Sequence, residues 1–134
     1  MSTDAVPAVP SVSFDLRLNH VDLQVPDVQR LAALFVRHFG FERRSNDHSP
    51  AIAILADRHG FVLVIQRRRD GEAYPESFHV GFLVDDLAIV HAMHARLAAD
   101  ETIDRLGPID VNARGTMFYL RAPGDILIEV SCRR

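Results

Sequence analysis

The chain has 134 residues, enough for one ordinary domain and too few for two that each bury a sizeable core. Its 15 Lys and Arg against 18 Asp and Glu give a formal charge of −3 with no concentrated basic stretch, which argues against nucleic-acid binding, and its apolar runs fall short of the roughly 20 residues that cross a bilayer. A single cysteine, Cys132, excludes an internal disulfide and any cysteine-rich zinc or iron–sulfur framework, so a metal would have to be held by other side chains.

Residues 1–13, with Pro7 and Pro10 and neither a basic start nor a long apolar run, read as a flexible tail and not as a targeting segment. Cytoplasmic residence is the matching expectation. The first strand then starts at His20, in His20-Val21-Asp22-Leu23-Gln24-Val25-Pro26-Asp27, and this octet returns 59 residues later as His79-Val80-Gly81-Phe82-Leu83-Val84-Asp85-Asp86 with four positions identical. In both copies the apolar residues alternate, placing Val21, Leu23 and Val25, or Val80, Phe82 and Val84, on one strand face and the histidine on the other. An Asp at the end of each octet is placed to cap a following helix.

Those helices are expected over 27–39, with Val28, Leu31, Leu34, Phe35 and Phe39 as the apolar stripe and Gly40 as the stop, and over 86–99, with Leu87, Val90, Met93 and Leu97. Three apolar stretches follow each helix: 41–44, 51–56 and 61–67, then 109–111, 116–121 and 126–131. The plan is βαβββ twice, an α+β fold in one domain over 14–134 with modules at about 14–69 and 77–132. Within the last stretch Glu129 stands between Ile128 and Val130. A carboxylate in a core strand is costly unless it is paired, hydrogen-bonded or bound to a metal. Gln66, 46 residues after His20, is expected at the place that Glu129 takes 50 residues after His79, with a four-residue insertion in the second copy.

The segments LNHVDLQVPDV, SFHVGFLVDDL and MFYLRAPGDILIEVS, spaced by a helix and strands, resemble the vicinal oxygen chelate superfamily, which includes glyoxalase I, extradiol dioxygenases, and fosfomycin- and bleomycin-resistance proteins. The resemblance covers about residues 15–132 and implies a curved mixed-sheet cup, with metal ligands on the first and last strand of each module. Those places are held here by His20, Gln66, His79 and Glu129. It further implies a divalent ion (Ni, Zn, Mn or Fe), a small-molecule substrate with adjacent oxygens, Glu129 as a general base, and a homodimer in which a cup can draw ligands from two chains. Two imidazoles and a carboxylate suit such an ion while leaving positions open for substrate. Glutamate is frequent at the Gln66 place in bacterial glyoxalases. Tyr119 occupies the place of an active-site tyrosine in extradiol dioxygenases. A ring-cleaving dioxygenase and a metal-free drug-binding protein of the bleomycin-resistance kind are the alternatives.

Other residues carry weaker signals. Asp22 and Gln24 share the His20 face, and Arg121 shares that of Tyr119, where it meets either solvent or an anionic substrate. His91 and His94, though three apart on a helix, are expected at the surface outside the cup. Arg67, Arg68 and Arg69 read as a solvated turn, and His38, His48 and His59 as helix-end or loop residues.

Overall fold

The computed structural model describes Ser11 and residues 13–133, so the tail expected over 1–13 lies almost wholly outside the described residues. Its elements run β1 (His20–Val25), α1 (Val28–His38), β2 (Phe41–Arg43), β3 (Ile52–Asp57), β4 (Val62–Arg67), β5 (His79–Leu83), α2 (Leu87–Ala98), β6 (Asp110–Asn112), β7 (Gly115–Ala122) and β8 (Ile126–Arg133). The βαβββ plan thus occurs twice, and the boundaries follow local chemistry. The Asp27 side chain accepts from the Arg30 amide to cap α1, and Asp86 accepts from the Ala88 amide to cap α2. Gly40, at φ 74°, lets the chain turn away after α1 in a conformation that side chains disfavour.

Each module forms a four-stranded mixed sheet, ordered β1-β4-β3-β2 in one and β5-β8-β7-β6 in the other. The first strand pairs in parallel with the last, β1 with β4 and β5 with β8, and the remaining pairs are antiparallel. Strands β1 and β5, which begin at the two histidines, are therefore both sheet edges. The alternation read from sequence sets the inner faces. Leu23, Val25, Leu63 and Ile65 of the first sheet, and Ile126, Ile128 and Val130 of the second, join Leu31, Phe35, Val90 and Leu97 of the helices in one buried cluster. In α2 the expected stripe narrows to Val90 and Leu97, while Leu87 in its first turn is exposed.

Pairing register corrects one expectation. His20 lies opposite Val62 and His79 opposite Leu127, so with the histidines aligned Glu129 is matched by Val64, and Gln66 is matched by Ser131. The insertion in the second module is longer than the count to Gln66 suggests, and residue counting alone could not place it.

Several contacts clamp the modules together. Asp100, just after α2, accepts from Arg37 (3.1 Å) and His38 (2.7 Å) at the end of α1, and Arg96 donates to the Arg37 carbonyl (2.7 Å). Phe39 stacks on Phe82 at 4.7 Å. His38 ends α1, as expected, and is in addition a buried clasp residue.

Candidate functional site

The faces turned away from the shared core carry the polar residues. On the second sheet, cross-strand pairing sets up three rows over β5, β8 and β7: His79–Leu127–Arg121, Gly81–Glu129–Tyr119 and Leu83–Ser131–Met117. Glu129 is 3% exposed. The Tyr119 hydroxyl donates to its Oε1 at 2.5 Å, the Ser131 hydroxyl donates to its Oε2 at 3.2 Å, and the Arg133 guanidinium stands 3.8 Å from Oε2. Both oxygens of the carboxylate therefore have partners, as burial demands. Gly81 lets β5 pass close against Glu129, since a Cβ there would meet the Glu129 carbonyl at 3.0 Å and the Glu129 Cβ at 3.2 Å. The bond to Glu129 and, after it, burial push the Tyr119 phenol above its ordinary pKa, because both favour the neutral form.

His79 stands edge-on to Tyr119, with ring centroids 6.0 Å apart. Its Nδ1 is 2.9 Å from the Ser77 carbonyl oxygen, which can only accept. In the neutral ring the proton is then on Nδ1, and Nε2 presents a lone pair, the arrangement a metal-binding imidazole needs. His79, Tyr119 and Glu129 are thus brought together on one sheet.

His20 and Gln66 belong to the other sheet, with a different set of neighbours. His20 is exposed at the start of β1. Two residues on, Asp22 accepts from the Gln24 amide (2.6 Å) and from the Gln66 amide (2.5 Å), so Gln66 spends its donor on a neighbouring carboxylate. Tyr74, between the modules, accepts from the Gln24 backbone N–H (2.6 Å) and thereby satisfies a donor on the β1 edge. Among the described residues no group of three or more His, Cys, Asp and Glu converges to hold a metal. One chain therefore does not bring His20 to His79 and Glu129, and its residues alone do not fit a three-ligand centre.

Some weaker signals resolve differently from expectation. His91 is exposed as anticipated, but His94 is half-buried, with Nε2 against the Gly107 carbonyl (2.8 Å) and its ring edge-on to Phe118. Arg121 is no solvated strand end, since it donates to the backbone carbonyls of Glu76 (2.8 Å) and Asp125 (3.0 Å). Sequence reading missed Ser131 and Tyr74 as partners. Ser131 sits two residues from Glu129 on the same face, a signal that was present, whereas Tyr74 lies in a segment without periodicity.

The family model for the Glyoxalase/Bleomycin resistance protein/Dioxygenase superfamily matches residues 17–130. No curated protein matches the chain. Among solved structures, one described as a possible glyoxalase from Bacillus cereus is 28% identical with a TM-score of 0.73, covering 88% of this chain and 100% of that one. A genomically encoded fosfomycin resistance protein from Listeria monocytogenes is similar at 16% identity and TM-score 0.72, covering 90% and 96%. A bleomycin-binding protein from Streptomyces verticillus, solved with copper(II)-bleomycin, is similar at 19% identity and TM-score 0.66, covering 91% and 100%. At these last two identities the likeness is one of fold.

Proposed function

The chain belongs to the Glyoxalase/Bleomycin resistance protein/Dioxygenase superfamily, and on that premise we propose that it is a metal-dependent enzyme of the glyoxalase kind, a lyase, isomerase or relative. Its substrate is a small molecule offering adjacent oxygens. The observation that carries this reading is the buried Glu129 on a core strand, beside a glycine and within one cluster with His79 and Tyr119. A carboxylate kept there at a cost in desolvation has a use other than packing.

In this reading His79 and Glu129 of one chain and His20 of a second copy hold a divalent ion, Ni, Zn, Mn or Fe, so the site is built across a homodimer. Held there, such an ion would supply electrostatic stabilisation of negative charge developing on the substrate oxygens. Glu129 would also serve as the general base that accepts a proton from substrate carbon. Tyr119 holds the carboxylate through its hydrogen bond and sets its orientation. Gln66, tied to Asp22 and level with Ser131, serves as a polar wall and not as a ligand. The working unit is one domain over 14–134, acting in the cytoplasm.

The failure of one chain to gather three ligands favours a second reading, a metal-free binder of small molecules like the bleomycin-binding relative. Elemental analysis after dialysis against nickel, zinc, manganese or ferrous ions separates the two. Close to one ion per site, absent from His79→Ala, supports the enzyme, and no stoichiometric metal with no thermal response supports the binder.

A further inference from the structure

A cavity of about 320 Å³ lies between the segment joining the modules and the β7–β8 turn. Arg68, Tyr74, Glu76, Arg105, Arg121 and Asp125 line it. We propose that this cavity binds a small dianionic oxyanion, a phosphate or phosphonate group, with Arg121 and Arg68 as the groups that contact it.

The argument rests on how each charge is used. Arg121 is half-buried, and its two recorded bonds go to backbone carbonyls, which fix the plane of the guanidinium without neutralising it. Three of its five N–H groups remain for a ligand. Arg105 is paired with the Asp125 carboxylate at 2.8 Å, so the acid on the turn is already matched. Arg68 is also half-buried, and among the described residues its side chain makes no hydrogen bond or ion pair. With that pair set aside, two arginines face only the exposed Glu76, which makes the cavity a cationic spot on a chain of net charge −3.

Neighbouring residues reinforce both the charge and the rigidity. A second open cavity also reaches Arg68 and is lined by Arg67, Arg69 and a single acid, Asp70. Tyr74 is a fixed wall, stacked on Phe78 at 4.7 Å and held by its hydroxyl to Gln24. A forked, pre-oriented guanidinium matches the oxygen spacing of a tetrahedral oxyanion. The volume leaves room for a small organic group attached to it.

The test uses chelator-treated, metal-free protein, so that its outcome is independent of any metal centre. Titration calorimetry with inorganic phosphate at low ionic strength should show saturable binding that sodium chloride of equal ionic strength does not reproduce and acetate matches only weakly. Arg68→Gln, which removes no recorded contact, should weaken binding roughly tenfold at an unchanged melting temperature. Arg58→Gln, which removes the same charge from the β3–β4 turn, should bind as the wild type does. Absence of saturable heat, equal competition by chloride, equal affinity for acetate, or equal weakening by Arg58→Gln and Arg68→Gln would each overturn the proposal.

Discussion

Glu129 shows how one side chain carries both a cost and a function. It lies between Ile128 and Val130 on a strand buried almost throughout, and its carboxylate is kept there by Tyr119 and Ser131. Removing the Tyr119 hydroxyl leaves one carboxylate oxygen without its donor. Tyr119→Phe should therefore lower unfolding free energy by about 1.5–3 kcal/mol in urea, the usual range for a bond to a charged group, and an unchanged midpoint would show that the bond is idle. The carboxylate between two apolar residues of a core strand was visible in the sequence, as was the histidine at the head of each repeat. The role of Gln66 was not, because the register depends on the insertion between the helix and the last strand, and that length leaves no mark in the local pattern. Asp100 gives a second prediction at this scale. Hydrogen bonds from the Thr102 side chain, from His38 and from the Thr102 backbone hold its carboxyl well below the usual carboxylate range. A depressed folded value means that Asp100 stabilises the fold fully above about pH 4 and loses that contribution as pH falls further. Melting curves of Asp100→Asn and wild type should consequently differ at pH 7 and approach one another toward pH 2, and a gap that stays constant would contradict the assignment.

Among the elements, the edges and turns decide how the two modules meet. Strands β1 and β5 each leave one side unpaired by any strand, and the β1 edge is covered in part by Tyr74. At the end of β1, Val25 packs against the β7–β8 turn, where Gly124 takes φ 85°. A Cβ on Gly124 would stand 2.5 Å from Val25 Cγ1, so Gly124→Ala combines backbone strain with a clash between modules. It should cost roughly 2–4 kcal/mol by denaturant unfolding, and a loss below 1 kcal/mol would mean that the turn and β1 separate easily. The strands, both helices and their Asp caps could be read in the sequence because their signals are local: alternation, a helical stripe, a capping side chain. The modest burial of α2 could not, since it depends on which part of the helix meets β7 and β8. The arginine cavity escaped for a similar reason. Arg105 and Arg121 are paired within the second module, where the Arg121 N–H donates to the Arg105 carbonyl, and Arg68 reaches them only from the other module.

For the whole molecule, the structure joins two half-domains through a single core. The proposed ligands are divided between those sheets, so the account requires a second copy. Light scattering after size exclusion should return twice the 15.0 kDa chain mass, and a monomer at high concentration would contradict a shared site. The most direct measurement is metal binding by two inactive variants mixed together. If His20 of one copy joins His79 and Glu129 of another, His20→Ala and His79→Ala alone each bind no stoichiometric ion. Refolded as an equal mixture, they should recover about one ion per four chains, because half of the dimers are mixed and each mixed dimer holds one intact site. No recovery in the mixture, or full metal binding by either variant alone, would contradict the account.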